Sequence, residues 1–283
     1  FLHNVPFFWV TTSILPHMLL AAVLLLVAFY GIDLYFYRRE KLPPPAEEQV
    51  PIRVEGLYNF LLLAGVIGVI LVSGYWRPGH ISVFGIEVHY QNLLRDGSII
   101  VFGLVSLYIT PGRLRQANDF SWGPILEVAK LFAGIFITII PALAILKAGP
   151  HGALAGLVNA VNSPAHYFWA SGVLSSFLDN APTYLTFFNM SLGRLGLTEA
   201  MVPASLAAGT ATANAQFIAF LQAISAGSVF MGANTYIGNA PNFMVKSIAE
   251  EAGVNMPSFF GYMFKYSIPI LIPIFILVTF VFF

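Results

Sequence analysis

The sequence predicts an all-α polytopic membrane protein, and three observations carry that prediction. Of its 283 residues, 58% are hydrophobic and only 9% are charged, whereas soluble domains carry about a quarter charged residues. The apolar residues gather in long runs, and a hydrocarbon layer needs about 20 helical residues to be crossed. Between the runs lie short segments where Arg, Lys, Glu and Pro collect. A mean hydropathy of +0.78 agrees. The lipid bilayer is therefore the expected surrounding, and a multi-pass membrane protein is expected.

Several function classes fall away at once. Thirteen basic residues balance thirteen acidic ones, so no field attracts nucleic acid. With no cysteine there is no disulfide, no thiolate metal site and no cysteine nucleophile. No Gly-rich phosphate loop, Ser-His-Asp arrangement or two-His metal pattern is present, so neither an enzyme nor a resident cofactor is expected.

Taken in order, the first run, Ile14 to Tyr37, stops at Arg38-Arg39-Glu40-Lys41 and is followed by the linker "LPPPAEEQVPIRVEG". A span and then a solvated connection are predicted. Runs from Leu57 to Trp76 and from Ser98 to Thr110 give two more spans, separated by a polar stretch bearing Arg77, His80, Glu87, His89, Arg95 and Asp96. A fourth run, Pro124 to Leu146, is apolar except for Glu127 and Lys130, and "HGALAGLVNAV" (151–161) is too short to cross and is expected at an interface. The last run, Ser258 to Phe283, closes the chain as a span. Phe1 opens neither a basic leader nor an initiator Met segment, so the chain is expected to start inside a longer protein. Arg38, Arg39, Lys41 and Arg53 place the first linker in the cytoplasm, and Arg113 and Arg115 fall there after two crossings.

Two places break the pattern. "FLDNAPTYLTF" (177–187) and "YIGNAPNFMV" (236–245) both set Asn-Ala-Pro within apolar sequence. Asn is a favoured helix N-cap, and Pro suits a first turn whose N–H groups have no partner. Each tripeptide therefore reads as a helix restarting after a preceding one has ended. Broken helices at membrane depth release carbonyls that suit a cation and N-termini that suit an anion, and paired breaks point to a transport site. Ser175, Ser176, Asp179, Asn180 and Thr183 are the candidate ion or substrate ligands at the first break; Asn234, Thr235, Gly238, Asn239 and Asn242 are those at the second. Ser176, Asn180, Asn234 and Asn239 are the candidates to hold Na⁺. The bland reading makes each break a kink or a surface loop.

At these residues the chain resembles the ion transporter superfamily, in its branch of NhaD-type sodium/proton antiporters and citrate transporters. "SSFLDNAPTYLTF" resembles the tip of that family's second re-entrant hairpin, and "GSVFMGANTYIGNAPNFMVKSIAEEAGV" resembles its second discontinuous helix. The resemblance covers the chain as the C-terminal portion of the family, whose fold is two inverted repeats. It implies that residues 1–123 hold transmembrane helices, the cytoplasmic linker and the end of the first repeat. Residues 124–283 would then be the second-repeat transport region, with a re-entrant hairpin at about 164–192 and a broken helix at about 217–250. It also implies secondary transport, with Na⁺ and H⁺ as transported or coupling ions, a small inorganic ion or a carboxylate as substrate, and a homodimer.

Asp179 is the leading ionisable candidate, since a carboxylate within a membrane is costly unless neutralised or paired. It binds Na⁺ or a proton in the functional reading and only caps the second half-helix in the plain one. Glu127 and Lys130, three residues apart, can pair on one helix face; alternatively Glu127 relays protons. Asp33, His17, His151 and His166 are expected at interfaces or in structural roles, and His166, near the hairpin entrance, is a lesser candidate for tuning a pH response. The small-residue run 205–216 favours close helix packing, with Thr210, Thr212 and Asn214 able to line a polar path. Sodium/proton antiport by alternating access is the first expectation, a sodium-coupled citrate or dicarboxylate carrier the second, and a passive channel or structural subunit the rival of another class.

Overall fold

A computed structural model describes Val5 and residues 7–39, 54–76, 78–83, 86–118, 120–123, 160–207 and 212–283, with scattered positions between 125 and 156. The expected span from Pro124 to Leu146, the interfacial segment 151–161 and Thr210 lie wholly or largely outside them. The described chain is helical apart from one small hairpin, and five of its helices are long and apolar enough to cross a membrane. The chain divides into two units, residues 42–121 and the remainder.

In the smaller unit, α2 (Tyr58–Tyr75) and α3 (Tyr90–Ile109) pack together and α4 (Gly112–Ala117) follows. Asn59 fixes their register, accepting from Ser106 Oγ at 2.8 Å and donating to Thr110 Oγ1 at 3.1 Å. The polar stretch expected as a loop forms an antiparallel hairpin, β1 (His80–Val83) with β2 (Ile86–His89), in the register His80–His89. The third span begins at Tyr90, eight residues before the apolar run does, and its first turns carry the Arg95–Asp96 pair at 2.8 Å.

In the larger unit, α1 (Phe7–Tyr37) carries an outward face of apolar side chains such as Leu26 and Phe29, each 63% exposed. That exposure is natural where lipid is the solvent. Helix α5 (Pro164–Ser175) starts on Ser163, whose hydroxyl accepts from the His166 N–H. After a tight turn α6 (Asn180–Leu195) runs back to Gly196, which ends it in the left-handed conformation at φ 64°. A 3-10 turn leads to the short α7 (Val202–Ala207). Helix α8 (Thr212–Phe230) decays through a 3-10 turn at Met231–Asn234 and an extended stretch, and α9 (Ala240–Glu251) resumes. The closing span joins α10 (Phe259–Tyr262), a π turn (Met263–Ser267) and α11 (Ile268–Phe282).

The core lies where α5, α6, α8 and α11 meet, built from Tyr167, Phe168, Phe187, Phe220, Ile224 and Phe275. His17, expected in an interfacial or structural role, is buried on α1 and stacks on Phe282 with ring centroids 4.0 Å apart, so the structural role is the one seen. Helices α5 and α8 touch backbone to backbone at Gly227, where a Cβ would stand 2.3 Å from the Phe168 carbonyl oxygen. Backbone cannot yield as a side chain can, so overpacking here is expected to cost about 1–3 kcal/mol. Gly227→Ala should lower the thermal unfolding midpoint in detergent by several degrees, while Gly193→Ala, with open space around its Cβ, should not.

Candidate functional site

The two interrupted segments meet. Gly238 marks the contact: a Cβ there would lie 2.3 Å from the Gly232 carbonyl oxygen and 2.9 Å from that of Ser175. Only glycine lets the tip of the α5–α6 hairpin and the two edges of the α8–α9 break approach so closely. Gly238, expected among the ligands of the second break, serves this contact.

A helix broken in an apolar interior leaves carbonyls that need partners. Here the candidate ligands supply them. Ser175 Oγ donates to the Ser228 carbonyl at 2.6 Å and Ser176 Oγ to that of Met231 at 2.9 Å. Thr235 Oγ1 donates to the Ser176 carbonyl, and the Asn242 amide lies 3.2 Å from the carbonyls of both Gly232 and Thr235. Asn234 Nδ2 donates to Ser176 Oγ at 3.0 Å. The expectation that the breaks leave their carbonyls free is therefore corrected: many are already held by side-chain donors, some from the opposite segment and some from the same break.

The two Asn-Ala-Pro tripeptides do different work. Asn239 caps α9, its Oδ1 accepting from the Asn242 N–H at 2.9 Å. In the first copy the cap position moves back to Asp179, and Asn180 enters the first turn of α6. Oriented by its partners, the Asn180 amide donates to the carbonyls of Ser228 at 2.8 Å and Gly238 at 3.0 Å. One tripeptide starts its own helix, and the other ties the hairpin to the opposite break.

Asp179 occupies the cap position without capping: its side chain makes no cap hydrogen bond, and among the described residues it has no ion pair. The carboxylate is half-buried at the tip. The plain reading, in which it only caps α6, does not match this geometry. Thr183 is wholly buried one turn on, and its hydroxyl, like Asn234 Oδ1 and Ser228 Oγ, has no hydrogen-bond partner among the described residues. These uncharged oxygens suit a hard cation such as Na⁺.

Glu127 does not pair with Lys130 among the described residues; its Oε2 accepts from Ser247 Oγ at 2.7 Å. The acid thus reaches α9, the half-helix begun by the second break. His166 is exposed at the start of α5, its Nδ1 lying 3.0 Å from Asn162 Oδ1. Sequence reasoning missed Tyr262 and Ser267, which donate to the carbonyls of Ala233 and Asn234. A signal was present: a cluster of hydroxyls, Tyr262, Tyr266 and Ser267, in the mostly apolar closing span ahead of Pro269.

No curated protein and no solved structure matches the chain. A family model described as "Putative citrate transport" matches residues 1–283, its entire length. Taken with the five apolar helices, that match makes this a multi-pass membrane protein of a transporter family rather than an enzyme family. The chain belongs to the family described as "Putative citrate transport".

Proposed function

We infer that this chain carries citrate or a similar carboxylate across a bacterial-type inner membrane by alternating access, coupled to Na⁺ or H⁺. The observation that carries the reading is the meeting of two broken helices in one buried junction, with unpartnered oxygens on Thr183, Ser228 and Asn234 around it. The α6 and α9 N-termini supply positive dipole ends for a carboxylate. Na⁺ is assigned to the unpartnered oxygens of Asn234 and Thr183, since Ser176, Asn180 and Asn239 are engaged in the junction's own hydrogen bonds.

Asp179 makes the coupling obligatory. A substrate carboxylate at about 4 Å from it is repelled by roughly 4 kcal/mol at an effective dielectric of 20, about a thousandfold in affinity. A cation or proton on Asp179 removes that penalty, so the anion binds well only after the coupling ion. The same half-buried carboxylate favours a second reading, sodium/proton antiport, in which Na⁺ and H⁺ compete for Asp179 with no organic acid involved.

Flux in proteoliposomes separates the readings. An inward Na⁺ gradient should drive saturable citrate uptake; Na⁺-driven proton movement without citrate would favour antiport; unsaturable, uncoupled flux would defeat both in favour of a channel. Asp179→Asn should flatten the cation dependence of uptake and raise citrate affinity in cation-free buffer by at least tenfold, short of the roughly thousandfold limit set by the repulsion. If instead the variant keeps the wild-type cation dependence, Asp179 is not the coupling group.

A further inference from the structure

The closing span changes helical type where it passes the second break. Helix α10 gives way to the π turn Met263–Ser267, and α11 resumes at Ile268. The cause is legible: Pro269 has no N–H for the Lys265 carbonyl one turn back, and its ring crowds that oxygen. Widening the turn to i→i+5 bonding relieves the conflict.

The widening has a geometric result. At 3.6 residues per turn, side chains five positions apart point about 140° away from each other. A turn bonded i→i+5 stacks them on one face instead. Tyr262 and Ser267 are five apart, and both face the second break: Tyr262 OH donates to the Ala233 carbonyl at 3.0 Å and Ser267 Oγ to the Asn234 carbonyl at 2.6 Å. Ser267 is 3% exposed, and its single O–H also lies near the Met263 carbonyl at 3.2 Å, so the shorter bond to Asn234 takes the proton. The Tyr262 ring stacks on Tyr236 with centroids 4.4 Å apart. Residues 233, 234 and 236 are thus all held from the closing span.

Between those clamps sits Asn234. Its amide nitrogen is committed to Ser176 Oγ, while its Oδ1 is buried and has no partner among the described residues. A buried oxygen left so is costly unless a ligand completes it, and only a donor or a cation can.

We propose that Tyr262 and Ser267 are positioning residues: brought onto one face by the π turn, they lock the backbone of Ala233–Asn234 so that Asn234 Oδ1 points to the coupling cation. The closing span thereby sets cation affinity without touching the ion. This rests on the reading that the second break binds a coupling cation.

The test is citrate uptake by the full-length transporter in proteoliposomes, titrated with Na⁺ and, separately, with protons, for the wild type and for Ser267→Ala, Ser267→Thr and Pro269→Ala. Ser267→Ala should raise the cation concentration for half-maximal uptake about tenfold, the equivalent of one lost positioning hydrogen bond, with maximal uptake near wild type. Ser267→Thr keeps the hydroxyl and should restore the wild-type value. Pro269→Ala removes no atom from the contact but returns the N–H that lets the turn revert to α geometry, and it should shift cation dependence in the same direction. A cation-dependent wild type whose curve is unmoved by both Ser267→Ala and Pro269→Ala overturns the inference alone. A wild-type curve flat in Na⁺ and in protons overturns the coupling reading, and the inference with it.

Discussion

Backbone polarity inside an apolar surround is the constraint on which this molecule turns. Each carbonyl released where a helix stops in such a setting needs a donor, and lipid has none to give. The chain meets the demand by making each interruption the partner of the other. Ser176 shows the economy: its hydroxyl donates to Met231 across the junction, accepts from Asn234, and its own carbonyl accepts from Thr235. Neither segment would be satisfied alone. The glycine contact at 238, the redirected Asn180 and the long reach of Tyr262 and Ser267 from the closing span all follow from that mutual dependence.

The arrangement also says what is left for a ligand. Most amide and hydroxyl donors of the junction are spent on carbonyls, and what stands without a partner among the described residues is an amide oxygen, two hydroxyls and the half-buried carboxylate of Asp179. Their lone pairs suit a cation. The carboxylate of Asp179 attracts a cation there and repels an anion unless a cation accompanies it.

Much of this was legible in the sequence, and what was not has identifiable causes. Four of the five spans among the described residues announced themselves by length and hydropathy, since crossing lipid demands both; the fifth, Ala215–Asn234, was obscured by the small polar run before it and the break after it. Both breaks were visible because Asn and Pro are rare in apolar runs and have defined helix-start chemistry. The division of labour between Asn180 and Asn239 was not visible, because identical tripeptides differ only in what stands opposite them. The β1–β2 hairpin was missed although His80–Val83 and Ile86–His89 both alternate polar and apolar residues, because each run is only four residues long. The pairing of Glu127 with Ser247, rather than with Lys130, depends on a helix 120 residues away, beyond any local rule. Spacing predicts the neighbours on one helix and is silent about those on the next.

The junction has one more property, which follows from its chemistry. It is assembled from serine and threonine hydroxyls, asparagine amides and main-chain carbonyls, with a tyrosine from the closing span. None of these changes charge near neutrality. The scaffold that holds the two breaks together is therefore indifferent to acidity. Any response to protons has to come from residues outside this scaffold.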